Sequence, residues 1–502
     1  MTTSGSFRNF IFKENADLLL WAGCLLILHF ILLKIYYPYA VIFGDSSEYV
    51  RAAWHNTQLT AWPIGYSKLL GWIHTLTRKD WAIVIFQYLL LEAAVLYLYF
   101  TVLYLLRPGK WVKLLILFFL VMNPFILSIT NYILSDAIFA ALTIFWFSIM
   151  MWYLHKPRPI LVYLLVFANL LLFSLRYYAA FYPLITVPVI LFSKVRWWVK
   201  VSGLVLGCLL FIGFIWYTAS LFEKQSGIRD FSPFSGWQLA GNALIMYRHI
   251  SHREQDTPPP ALRSLHQLVL KEMNNPESPI NGIPDRRLVI YFTWDARSPL
   301  MQYCGMKLSI HPLTSDLPKW SSVGKLYHDY GVYLIKRHPV EYIRYYVGQG
   351  LDWFISPRAE FTNVYPQGGY EIPGIVNDWF GYNSDWLPCS PDSLYSIAMF
   401  PQIITILNAL VLIGVIIFFF RRCHVAEGSL TTKVLIFFMT YWSGNFLFII
   451  FSAPATLRYA LSIMILDIVF VPMLFEFILR SARKKIALQH TIGDKRRSEI
   501  FV

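Results

Sequence analysis

Long apolar runs recur from one end of this chain to the other, most of them close to the ~20 residues that one helix needs to cross a hydrocarbon layer. They cover about 17–37, 81–105, 132–154, 159–175, 180–193, 201–220, 397–420, 431–452 and 456–479. A further run starts near Trp111 and meets a helix-breaking Asn123-Pro124. Only 14% of the 502 residues are charged, against roughly 25% for a soluble globular chain. The predicted fold class is an α-helical polytopic membrane protein, with about ten transmembrane helices and a mainly helical extracytoplasmic domain.

The basic residues set the expected topology. Arg107/Lys110/Lys113, Lys156/Arg158, Lys194/Arg196/Lys200, Arg421/Arg422 and the tail Arg480 to Arg497 fall in alternate loops. By the positive-inside rule those loops are cytoplasmic, and so are both termini. The net charge of +14 is thereby a membrane-topology signal, and no nucleic-acid partner is implied. The expected organisation is a transmembrane module at 1–220 with a first outer loop at 38–80, then an extracytoplasmic domain at 221–396. Transmembrane helices at 397–480 and a basic cytoplasmic tail at 481–502 complete it.

Within the outer region, 236–250, 261–273, 321–338 and 339–354 show helical apolar spacing, punctuated by prolines between. The aromatics Tyr342, Tyr345, Tyr346, Trp353 and Phe354 suit either a helix at the membrane surface or packing inside the domain. Cys304 and Cys389 share this region and could pair if it is extracytoplasmic. No Asn-x-Ser/Thr sequon occurs in it, which favours a bacterial cytoplasmic (inner) membrane over the endoplasmic reticulum.

Chemistry-bearing residues gather at the outer ends of the runs. Asp45 and Glu48 in GDSSEYV fit a helix capping box, and they equally fit a functional pair in which Asp45 is a general base. Asp136 lies in the first turns of a span; an aspartate at a helix centre in lipid costs about 2.5–3.5 kcal/mol, so this one should face a cavity or a partner. Its other reading is a favourable contact with the helix N-terminus. Arg176-Tyr177 and Arg458-Tyr459 are matching pairs that would either snorkel to headgroups or converge on a phosphate. Arg51 and Lys68 are further phosphate candidates, and Trp62 suits interfacial anchoring or sugar stacking. Glu92 and Asp467 are deeper acids without an assigned role. The histidines form no ligand spacing, and phosphate-loop and dinucleotide motifs are absent. No cofactor is therefore expected, with a divalent metal left open.

Gly44-Asp45-Ser46-Ser47-Glu48-Tyr49, Trp62-Pro63-Ile64-Gly65-Tyr66, Asn123-Pro124 with Ser135-Asp136, Leu175-Arg176-Tyr177 and Leu457-Arg458-Tyr459 follow one another in a definite order. In that order and sidedness the chain resembles the GT-C integral-membrane glycosyltransferases, on the branch of protein O-mannosyltransferases and lipid A aminoarabinose transferase. The resemblance implies a GT-C-like fold and transfer of a sugar from a polyprenyl-phosphate donor to a glycan, lipid or protein acceptor outside the membrane. It implies Asp45 as catalytic base, Asp136 as second cavity acid, and Arg176 and Arg458 as phosphate binders. Relatives often carry a lysine before the first-loop proline, where this chain has Ala61-Trp62. A transporter or flippase for an anionic lipid or solute is the alternative, which the deeper acids would suit.

Overall fold

The computed structural model describes residues 6–60, 62–251, 253–308, 317–359, 368–392, 398–421, 430–452 and 456–500. Among them, eight helices are long and apolar enough to cross a membrane. In chain order the membrane part begins with α1 (Ala16–Tyr36), then two short helices in the loop expected to lie outside, α2 (Ser46–Trp54) and α3 (Gly65–Leu76). It continues through α4 (Asp80–Leu106), α5 (Lys110–Val121), α6 (Pro124–Thr130), α7 (Asp136–His155), α8 (Pro159–Leu175), α9 (Tyr182–Leu191) and α10 (Trp197–Ser226). The expected fifth and sixth runs are the two shorter apolar helices: at 1.5 Å per residue, the 17 residues of α8 reach only about 26 Å.

The break expected at Asn123-Pro124 is present and has a local cause. Proline cannot continue the α5 ladder, and the Asn123 side chain instead caps α6, accepting from the backbone N–H groups of Phe125 (3.0 Å) and Ile126 (3.3 Å). Polar groups join the spans where no water can. Thr143 and Tyr182 lie 2.9 Å apart, Tyr182 and Tyr441 3.1 Å, and Trp146 donates to Thr186 at 3.2 Å.

The region that the expected topology puts outside, the outer region, contains α11 (Pro233–Tyr247), α12 (Arg263–Met273), α13 (Asp285–Trp294), α14 (Pro299–Leu308) and α15 (Leu317–Arg337). A bent helix follows, α16 (Pro339–Tyr342) joined by a π turn (Ile343–Val347) to α17 (Gly348–Ile355). All four helices expected from periodicity are there. An element without helical spacing joins them: a ribbon of β1 (Gly369–Glu371) and β2 (Trp386–Pro388), antiparallel with Tyr370 opposite Leu387, flanking α18 (Gly374–Phe380). The ribbon and α18 dock on the first outer loop, Tyr370 donating to the Ala40 carbonyl and His74 stacking on Trp379 at 3.7 Å. No disulfide joins Cys304, which is buried, to Cys389. Three helices close the chain: α19 (Phe400–Phe420), α20 (Leu430–Ser452) and α21 (Leu461–Ile500). The apolar part of the last is mostly enclosed by the others, whereas α10 is almost wholly exposed on the bundle's flank.

The outer domain's tightest joint is α11 against α15. A Cβ on Gly236 would stand 1.9 Å from the Gly324 carbonyl oxygen, and one on Gly324 would stand 2.8 Å from the Pro233 oxygen. Backbone meets backbone there, so no side chain can yield. Gly236→Ala is expected to cost roughly 1–3 kcal/mol or to block folding, while Gly213→Ala, facing open space on α10, leaves thermal unfolding in detergent unchanged.

Candidate functional site

The loop before Asp45 is fixed by backbone pairing across the bundle. Val41 and Tyr132 form a parallel bridge, with Val41 N–H on the Asn131 carbonyl (2.8 Å) and Ile133 N–H on the Val41 carbonyl (3.1 Å). Asp80 accepts from the Ala40 N–H at 2.6 Å, and Asn131 donates to the Tyr39 carbonyl at 3.3 Å. Gly44 then turns the chain at φ +45°, a left-handed value that favours glycine. Asp45 is left at the N-cap of α2, beside the start of α7.

At that position Asp45 does not cap. Its side chain makes no bond to the helix N–H groups; the Ser46 hydroxyl instead bonds both backbone groups of Phe43, and Glu48 pairs with Arg51 at 2.7 Å. The capping-box reading is thereby corrected. Asp45 Oδ2 meets Arg458 Nη2 at 3.2 Å. Arg458 Nη1 reaches Asp136 Oδ2 at 3.4 Å, and Asp136 Oδ1 meets Arg176 Nη2 at 2.7 Å. Two acids and two arginines thus alternate in one charge-balanced chain.

Helix ends supply all four groups. Asp136 opens α7, whose N-terminal dipole favours a carboxylate. Arg176 follows α8, and Arg458 sits in the 3-10 turn Leu457–Ala460 that leads into α21. These ends belong to one side of the bundle; Arg107, Lys156, Lys194 and Arg421 mark the other. The Tyr459 ring lies beneath both guanidinium carbons, at 4.6 Å from Arg176 and 4.9 Å from Arg458, and its hydroxyl accepts from Arg458 at 3.2 Å.

Burial separates the roles of the two acids. The Asp136 side chain is 1% exposed and serves both arginines, while Asp45 is 25% exposed. Asp45 Oδ1 has no hydrogen-bond partner among the described residues. The buried Nε of Arg458 likewise has none. The site therefore holds one reachable acceptor and one unspent donor.

A second layer supports the first. Ser135 accepts from Arg176 Nε at 3.2 Å and lies 3.3 Å from the Tyr49 hydroxyl. Burial, then the neighbouring Asp45 carboxylate, pushes Tyr49 well above the ordinary phenol range, so it stays protonated. The Tyr66 ring meets Tyr49 edge-on at 4.9 Å, and its hydroxyl donates to Gln87, which in turn donates to the Thr130 and Tyr132 carbonyls. Gly65 permits this approach: a Cβ there would stand 2.6 Å from the Ser174 carbonyl oxygen, just before Arg176.

Other expected residues lie apart from the charges. Tyr177 packs on Phe231 at 4.6 Å, and Trp62 stacks with Phe234 and Trp294, joining the first outer loop to the outer domain. Arg51 is half-exposed on Glu48, and Lys68 donates to Asn56, its pKa lowered by partial burial. One arginine without a sequence signal arrives by backbone pairing. The Arg358 carbonyl accepts from Leu457 N–H at 2.7 Å, in a parallel bridge with Thr456, and among the described residues no carboxylate pairs with its side chain. A surface groove of about 540 Å³ along the outer end of α10, lined by Trp216, Tyr217, Lys224 and Arg229, contains none of these residues. Among the described residues, no group of three or more His, Cys, Asp or Glu side chains is placed to hold a metal ion.

Neither family models, nor curated proteins, nor solved structures give a match to this chain.

Asp136 is the group whose loss leaves most behind. Asp136→Asn strips two buried guanidiniums of their shared counter-charge and is expected to destabilise the protein by about 3 kcal/mol. Thermal unfolding in detergent measures it; the double variant with Arg176→Gln should recover part of the loss.

Proposed function

We propose that this chain is an integral-membrane glycosyltransferase that moves a sugar from a polyprenyl-phosphate donor to an acceptor hydroxyl on a glycan, lipid or protein. The reading places the reaction on the extracytoplasmic side of a bacterial cytoplasmic membrane, with both termini inside. The observation that carries it is the accessible Asp45 carboxylate at the edge of an arginine-bearing cluster, one oxygen on Arg458 and the other without a partner among the described residues.

In this mechanism the acceptor oxygen attacks the anomeric carbon while its proton passes to Asp45 Oδ1. The bond from that carbon to the phosphate oxygen breaks, and the electron pair leaves with polyprenyl phosphate. A phosphodiester-linked sugar already carries a stable anionic leaving group, so no general acid is required. One displacement inverts the anomeric centre. Arg458 and Arg176 would hold the departing phosphate, which competes with two carboxylates for them. Arg358, one strand bridge from the cluster and without a carboxylate partner among the described residues, adds positive charge that favours the phosphate in this competition. Asp136 keeps both guanidiniums in place between turnovers, and Tyr459 fixes their planes.

A second reading, transport or flipping of an anionic lipid or solute, is favoured by one observation. Asp467 is fully buried in α21 with both carboxylate oxygens unpartnered, and Glu92 in α4 has one such oxygen. Uptake into proteoliposomes in the absence of sugar transfer would decide for it.

The base role is tested directly. With a polyprenyl-phosphate sugar and an acceptor, Asp45→Asn should reduce transfer about 10²–10⁴-fold while still binding the lipid donor. Transfer at the wild-type rate would exclude Asp45 as the base.

A further inference from the structure

The bent helix Pro339–Ile355 does not stay with the outer domain. It descends antiparallel along α20. Gly350 lies against Ile450, where a Cβ would meet the Ile450 backbone at 2.9 Å. Four residues further on, the Phe354 ring meets Phe446 at 5.2 Å and Trp442 at 5.0 Å. Ser452 ends α20, so Trp442 lies ten residues, about 15 Å, in from that end. A second span gives a consistent depth. Asn408, buried in α19, donates to the Phe354 carbonyl (3.0 Å) and the Ile355 carbonyl (3.2 Å), and it is eight residues, about 12 Å, in from Phe400. The 21 residues of α19 carry no charge and match the length of one crossing, leaving no turn to stand clear of the bilayer.

The geometry points to Pro339–Ile355 as a re-entrant helix whose outward edge rests on acyl chains of the outer leaflet. A helix that ends at that depth leaves carbonyls with no water to bond. Asn408 supplies donors to two of them, and its own carbonyl accepts from Trp442 Nε1 at 3.1 Å, which fixes the amide's orientation. This accounts for the buried Asn408 side chain and for the partner of the Trp442 indole N–H. Val340, Ile343 and Leu351 are 70%, 61% and 40% exposed, while Tyr342, Tyr346, Trp353 and Phe354 are buried against protein. Ile343 and Leu351 are eight residues apart, which is two α turns plus the one residue that the π turn adds, so they share an edge. Arg344 and Asp352, also eight apart, form the neighbouring polar edge. The chain then returns through Ser356 and Pro357 to Arg358 beside the charge cluster.

Spin labelling in nanodiscs tests this without any transfer assay, so its outcome is separate from that of the proposed function. In a background with Cys24, Cys208, Cys304, Cys389 and Cys423 replaced, nitroxides are placed by Ile343→Cys, Leu351→Cys and, as an exposed outer-domain control, Lys325→Cys. Collisions with lipid-soluble oxygen should exceed those with a water-soluble nickel chelate at Ile343 and more so at Leu351, with the reverse at Lys325. Nickel access at Leu351 equal to that at Lys325 would overturn the proposal, as would a Leu351 label closed to both reagents. Asn408→Leu should raise nickel access at Leu351 at least several-fold; the labels on the native Asn408 background decide the matter if that variant does not fold.

Discussion

The Asp136 carboxylate is almost completely buried, and the way it is paired organises the upper end of this bundle. Its two oxygens take guanidiniums from either side, Arg176 from the end of α8 and Arg458 from the start of α21. Each arginine alone would be a costly charge near hydrocarbon; the aspartate between them and the Tyr459 ring hold both, the Ser135 hydroxyl accepts from Arg176, and the buried Nε of Arg458 keeps no partner among the described residues. Asp45 joins as the fourth charge, and its second oxygen has no hydrogen-bond partner among the described residues. The fold therefore uses one acid for cohesion and leaves the other within reach of solvent.

Backbone geometry, more than side-chain choice, sets the distance between these groups. The Val41–Tyr132 bridge aligns the two acid-bearing segments, Gly44 turns the chain to aim Asp45, and Gly65 lets α3 press on the end of α8. Around them, the ribbon and α18 close over the first outer loop. Nothing in this arrangement is held by a long flexible arm except the arginines themselves.

What was legible in the sequence follows from how local each signal is. Apolar run length, the Asn123-Pro124 break and the 3.6-residue period of the outer helices are written in consecutive residues, and they are found where expected. Asp136, Arg176 and Arg458 were legible as ionisable groups at matching helix ends, which sidedness brings together. Asp45 and Glu48 read as a cap because their spacing is that of one; only a cation delivered from the far end of the chain shows why the cap is not made. The bridges at Val41–Tyr132 and Arg358–Thr456 use carbonyls and N–H groups that every residue possesses, so no residue type announces them. Two runs expected as spans, α8 and α9, form apolar helices shorter than the other eight.

The order of the charges along the chain bears on how such a protein enters a membrane. Asp136 and Arg176 stand at the two outer corners of one helical hairpin, α7 and α8, and contact each other at 2.7 Å. The anion and cation at the open end of that hairpin can be matched as it leaves the insertion machinery, long before the last span is synthesised. Arg458 comes last and docks onto a pair that exists, so the site is completed at the end of biogenesis. A chain truncated before Leu457 would insert most of its spans yet lack the guanidinium that links Asp45 to the rest, and the cell would hold a membrane protein with an unfinished centre.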